Sequence, residues 1–174
     1  MNRISHGSVV AMALVASMAL VGCSSGQGEP PAEPSAEPGA GLADFDPCAF
    51  LTEEDLATAG VTGPPEKVDA VASQPGCDYE GEDVLLSLTK NQTEGFAEYG
   101  KNNFERFDEI DINGRRAAIA VTAGSGGNGI CSVILDAGGG IVDVNVTAYD
   151  MAAVPDPCGE AEQVARQIEP RLPA

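Results

Sequence analysis

Two Asp-Pro-Cys triplets, Asp46-Pro47-Cys48 and Asp156-Pro157-Cys158, bracket nearly all of the sequence that has the composition of a folded domain. In each, the aspartate is a good helix cap and the proline suits a first helical position, so each cysteine opens a helix. Cys77 and Cys131 lie within predicted strands. An even number of cysteines in an exported domain implies two disulfides, and four cysteines allow three pairings. The matching triplets favour Cys48 with Cys158, leaving Cys77 with Cys131. Such a frame fastens the two ends of the domain together. Loops this long imply roughly 4 kcal/mol or more per bridge on chain-entropy grounds, a large share of a typical stability of ~5–15 kcal/mol. A metal site fits poorly, because no pair is spaced Cys-x-x-Cys and the only histidine, His6, lies in a segment read below as removed.

The export reading comes from the start of the chain. Arg3 supplies a positive n-region, and residues 9–21 form an unbroken small and apolar run. That run is too short for a membrane span of ~20 residues and suits a signal-peptide core. It ends in Leu20-Val21-Gly22-Cys23 and leads into Ser24-Ser25-Gly26, which resembles the lipobox of bacterial lipoproteins. The resemblance implies that residues 1–22 are a signal peptide and that Cys23 carries lipid on its sulfur, as membrane anchor and mature N-terminus. Residues 24–43 repeat Ala-Glu-Pro units among Gly and Ser. They cannot bury a core, and as an extended tether following Cys23 they reach at most ~60 Å.

The globular part is expected over residues 44–174. Thr52-Glu53-Glu54-Asp55 reads as a cap with an acidic first turn, opening a short helix that ends at Gly60. Residues 68–71, 77–79 and 84–89 read as strands. Phe96, Gly100 and Phe104 recur at four-residue spacing, which predicts an amphipathic helix over 94–104. Asn113-Gly114 joins predicted strands 109–112 and 115–121, because both residues tolerate the positive φ of a type I′ turn. Strands 130–136 and 141–149 follow, separated by Ala137-Gly138-Gly139-Gly140. A last helix carries Cys158, Ala161, Val164, Ala165 and Ile168 on one stripe and stops at Pro170. Strands outnumber helices and no βαβ rhythm occurs, so the expected class is α+β with a mostly antiparallel sheet and helices near both ends.

Several of these motifs, in this order, resemble a family of actinobacterial lipoproteins known as domain of unknown function 3558. They are Asp46-Pro47-Cys48-x-x-Leu51-Thr52-x-x-Asp55-Leu56, Cys77-Asp78-Tyr79, Ile112-Asn113-Gly114-Arg115-x-Ala117, Cys131-Ser132-Val133 and Asp156-Pro157-Cys158-x-x-Ala161. Tyr79 stands where such proteins often have tryptophan, and keeps the ring's place in the core. The resemblance implies a cell-membrane, extracytoplasmic lipoprotein and no reaction.

Charge and missing residue types narrow the functions. With 27 Asp+Glu against 9 Lys+Arg the chain carries a formal charge of −18, which excludes a general nucleic-acid footprint. No histidine beyond His6 is present to serve Ser/His/Asp or Cys/His catalysis. A Ser–Lys pair could draw on Lys67, Lys90 or Lys101, but no Ser-x-x-Lys occurs, and without tryptophan a two-carboxylate sugar cleft lacks its stacking platform. Gly124-Ser125-Gly126-Gly127-Asn128-Gly129 spells the dinucleotide fingerprint, yet it precedes a predicted strand where a helix N-terminus is needed. Glu109-x-Asp111-x-Asn113-Gly114 mimics the start of a calcium loop, but Ala120 stands where a bidentate Glu is required. Arg115-Arg116, the only basic doublet, is expected to bridge to neighbouring acids. The expected function is therefore a tethered, non-catalytic binding or interaction module without cofactor or metal. Its partners are the membrane through Cys23 and an envelope protein or small ligand. The alternative is a secreted hydrolase using carboxylates or a Ser–Lys pair.

Overall fold

The structure, a computed structural model, describes residues 40–69 and 73–174. Cys23, the signal segment and most of the tether lie outside these residues. The described chain forms four helices, α1 (Pro47–Phe50), α2 (Glu53–Thr58), α3 (Phe96–Tyr99) and α4 (Pro157–Ile168). Its seven strands are β1 (Glu66–Val68), β2 (Gly76–Glu80), β3 (Val84–Asn91), β4 (Phe104–Ile112), β5 (Arg115–Thr122), β6 (Ile130–Ala137) and β7 (Gly140–Ala148). They make one sheet in the order β1-β2-β3-β7-β6-β5-β4, with every neighbouring pair antiparallel. The α+β expectation holds.

Strand alternation sorts the side chains onto two faces. Leu86 and Leu88 of β3, Val133 and Leu135 of β6, and Val142, Val144 and Val146 of β7 form the main core. The α4 stripe of Ala161, Val164, Ala165 and Ile168 covers that face, as its periodicity required. Asp156 caps α4 by accepting from the Gly159 N–H at 3.0 Å, and Pro157 occupies its first turn. At the other end, Thr52 and Asp55 form a reciprocal capping box on α2. Tyr79 is a core ring, with its hydroxyl donating to the Pro47 carbonyl at 2.7 Å; burial, then the nearby Asp46 charge, pushes its pKa up to about 12.

Asn113 and Gly114 adopt φ values of 56° and 94° and close the β4–β5 hairpin in two residues, as the dipeptide predicts. The predicted helix over 94–104 shrinks to the single turn of α3, and Phe104 opens β4 instead. Gly100 caps α3, and Phe107 packs so closely there that a Cβ would fall 2.9 Å from its ring. Phe96, Tyr99, Phe104 and Phe107 do gather into one cluster, on the sheet's second face. The four-residue spacing thus arises from two segments converging. Of the strand expected over 68–71, Val68 ends β1 and residues 70–72 lie outside those described.

The expected disulfide pairing is corrected. Cys48 bonds Cys77 and Cys131 bonds Cys158, each with Cα atoms 5.0 Å apart. In the sheet, β3 and β7 stand between β2 and β6. Three inter-strand steps of ~4.8 Å therefore separate Cys77 from Cys131, about twice the reach of a disulfide. Each terminal helix is instead pinned to the strand beneath its own start: α1 packs on β2, α4 on β6 and β7. The bridges close spans of 29 and 27 residues, which lowers the chain-entropy contribution to about 3.5 kcal/mol each.

The body has two poles. Gly41 packs against Gly138 and Ala174, so the chain enters beside the β6–β7 turn and leaves there. Lys90 fixes that entry: its buried ammonium donates to the carbonyls of Leu42 (2.8 Å) and Phe45 (2.6 Å), with Ala43 at 3.4 Å. Arg115 holds the exit, pairing with Glu169 and donating to the Asp136 and Pro173 carbonyls at 2.7 and 2.8 Å. The opposite pole carries the β2–β3 turn, residues 123–129, and residues 149–156 leading into α4. Nine-residue β7 spans the distance between poles, roughly 26 Å.

Candidate functional site

Most motifs flagged in the sequence are consumed by local structure. Arg115 is committed to the exit contacts just described. Arg116 makes two hydrogen bonds to Glu109, at 3.0 and 2.8 Å, and lies over the Phe96 ring at 4.4 Å. Those bonds hold the Glu109 carboxyl below its ordinary range. Asp111, the second acid of the calcium-like run, accepts from the Gly114 N–H at 2.9 Å and so braces the turn. The fingerprint glycines form the loop from β5 to β6, and Gly124 donates to Glu105 Oε2 at 3.1 Å. That loop leads into β6, so the helix that the fingerprint requires directly after its glycines is replaced by a strand. Among the lysines, Lys90 is engaged with carbonyls, Lys101 pairs with Glu98, and Lys67 is exposed on β1.

The same glycine loop does form one wall of a groove at the far pole. Val121 and Ile130 of β5 and β6, Pro157, and the Cys131–Cys158 bridge complete a mainly apolar cleft of about 290 Å³. Met151 borders it, lying against Gly129, and is 43% exposed. Tyr149, two residues earlier, is 54% exposed and shares this pole, its hydroxyl 3.3 Å from Glu80 Oε1. Among the described residues these are the large hydrophobic side chains left facing solvent. Arg106 Nη1 approaches Cys158 Sγ at 3.9 Å on the rim, while its Nε pairs with Asp108 at 2.6 Å.

A second feature lies on the sheet's second face. Asp143 of β7 stands opposite Thr89 of β3 and Ile134 of β6. Its Oδ1 is closed off from solvent and has no hydrogen-bond partner among the described residues. Burial pushes its carboxyl up to about 7, against a smaller opposing pull from the Ser132 hydroxyl. Tyr99 of α3 is close enough for the Asp143 charge to add to the burial that raises its own pKa. Further along β7 a polar row continues: Thr147 donates to Asn145 Oδ1 at 3.2 Å, and Asn145 donates to Ser132 Oγ at 2.9 Å. Sequence reasoning assigned none of these residues a role. The signal is the alternation Asp143-x-Asn145-x-Thr147, which in a strand paired on both sides puts a polar row on one half-covered face.

A single antiparallel sheet, helices pinned to it by local disulfides and a surface groove at one pole define a small disulfide-braced α+β domain. The chain belongs to the family described as Protein of unknown function (DUF3558), whose profile matches residues 18–171. No curated protein and no solved structure matches it.

Proposed function

We propose that this chain is an actinobacterial cell-envelope lipoprotein, anchored by lipid on Cys23, whose body is a non-catalytic binding module. The observation that carries the reading is the separation of the poles. The chain enters the body at the pole where Lys90 grips Leu42 and Phe45, whereas Tyr149 and Met151 expose apolar surface at the other. A tether joining the first pole leaves the second unobstructed, and exposed apolar side chains beside a groove are the usual mark of an interaction site. Lipid on Cys23 would hold the body outside the cytoplasm, where the two disulfides persist.

Fractionation of cells expressing the native chain and Cys23→Ser tests the anchor. The native chain is expected in the membrane fraction, with an intact mass that begins at Cys23 and includes diacylglycerol; Cys23→Ser is expected to lose both. Retention of residues 1–22 in mature native protein, or membrane association indifferent to Cys23→Ser, refutes it.

A further inference from the structure

We propose that the far-pole groove docks a cationic segment of a partner protein, taking one apolar side chain while the surrounding carboxylates receive its lysines or arginines. The proposal rests on the reading of the far pole as the presented surface and adds the chemistry of what binds there. Two independent observations carry it. The first is the groove itself. At about 290 Å³ it falls just under the usual ~300–1,000 Å³ of small-molecule sites, and beside Val121, Ile130, Pro157 and the disulfide its charged lining is Glu105 and Arg106, each already engaged within the protein. It suits the insertion of one aliphatic or aromatic side chain. Met151 at its border is unbranched and polarisable, a residue type that adapts to what it packs against.

The second is charge without an ion pair. Glu105 lines the groove and Glu80, Glu82, Asp83, Asp150 and Asp156 lie at the same pole; backbone N–H groups meet Glu105, Asp150 and Asp156, but none of the six takes part in an ion pair among the described residues. The one cation on the groove's rim, Arg106, is already paired with Asp108. Elsewhere Arg115, Arg116, Arg166 and Arg171 each hold a carboxylate. A neutral or acidic partner would therefore meet repulsion or unpaired carboxylates at the far pole, and a basic one attraction. Charge alone cannot localise a ligand on a chain this acidic. The groove supplies the position and the carboxylates supply the sign.

The test uses the lipidated chain in neutral-lipid nanodiscs with ¹³C-methyl methionine. Met151 is the only methionine after Met18, so in the processed chain one resonance reports the groove. Three synthetic hexapeptides are titrated: Lys-Lys-Leu-Phe-Lys-Lys, Lys-Lys-Ser-Ser-Lys-Lys and Glu-Glu-Leu-Phe-Glu-Glu. The first is expected to shift the Met151 methyl and to bind at least about tenfold more tightly than either control. Its affinity should fall at least about tenfold between ~0.05 M and ~0.5 M salt, and Met151→Ser, which leaves the charge unchanged and is read by titration calorimetry, should weaken it severalfold. Equal binding of the serine peptide means attraction to the acidic surface at large and overturns the proposal, as does an unmoved Met151 signal. Equal binding of the glutamate peptide removes the cationic part and also overturns it. If Met151 is shielded from oxidation in intact envelopes while no lysine peptide binds, the presented pole stands and only the partner chemistry falls.

Discussion

Asp143→Asn is expected to change how the stability of this domain depends on pH, by an amount that follows from the site. A carboxyl that ionises at 3.8 when unfolded and at about 7 when folded disfavours the native state once the unfolded chain can ionise. Below pH 3.8 both states hold the proton and nothing is lost. As pH rises from 3.8 towards 7 the unfolded chain releases its proton first, so stability declines, and above 7 the loss is complete. At ~1.4 kcal/mol per pH unit the cost is about 2 kcal/mol at pH 5 and about 4 kcal/mol at pH 8. Facing groups give little relief. Tyr99 from α3 and Ser132 from β6 are neutral in this range, Thr89 and Ile134 do not titrate, and none of the ion pairs among the described residues involves Asp143. Asparagine has nearly the same shape and no charge. Whatever fixed cost its amide incurs, the stability of Asp143→Asn relative to the native chain should rise by about 2–3 kcal/mol from pH 5 to pH 8. Urea unfolding at both pH values, followed by far-ultraviolet circular dichroism because the chain lacks tryptophan, measures that difference. Taking the change relative to the native chain cancels the general repulsion among the other acids. An offset that is the same at both pH values would refute the reasoning, because Asp143 would then titrate as it does in the unfolded chain.

Two further outcomes are expected. Peptide mapping without reductant should recover Cys48 joined to Cys77 and Cys131 joined to Cys158; replacing either pair by alanine should cost about 3.5 kcal/mol, and a crossed peptide linking Cys48 to Cys158 would contradict the strand order. Lys90→Met should leave the carbonyls of Leu42 and Phe45 without donors, at about 1–3 kcal/mol for each that stays dry. Its signature is local. Amide exchange around residues 42–45 should become fast while α4 keeps its protection, and uniform loss of protection would show that the clamp is not confined to the entry.

What the sequence discloses here are the features whose cause is local. A two-residue turn is announced by Asn113-Gly114 because positive φ at consecutive positions suits few other pairs. The terminal helices are announced by Asp-Pro-Cys and by the Thr52/Asp55 box because capping is a matter of three or four residues. The same locality misled where distant segments meet. Phe96 and Phe104 share a cluster without sharing a helix, since β4 returns beside α3 and Phe107 closes over Gly100. The disulfides make the point more sharply. Two identical triplets invite pairing by symmetry, but pairing obeys strand order, and that order places β3 and β7 between the two strand cysteines. In the sequence Lys90 is one of three lysines on which a Ser–Lys pair could draw, and its role as a clamp depends on where the chain enters the body.

That entry bears on why the body is fastened as it is. A disulfide between the terminal helices would have stapled the ends of the chain to each other. The observed bridges instead fix each helix to the sheet independently, and the ends are closed by three cations: Lys90 on the incoming carbonyls, Arg115 on the outgoing ones, and Arg171, which reaches from the C-terminal turn to the Phe50 carbonyl and Asp55. Cationic hydrogen bonds of this kind are each worth about 1.5–3 kcal/mol and open reversibly, whereas a disulfide opens only by exchange or reduction. The segment before Cys48 is thereby held without a covalent bond, by these contacts and by the burial of Leu42 and Phe45 in the main core. The Cys131–Cys158 bridge lines the far-pole groove, so the surface argued to meet a partner is held covalently, as α1 is held to β2 by Cys48–Cys77. A pull on the incoming chain should accordingly open the Lys90 contacts while the groove keeps its shape.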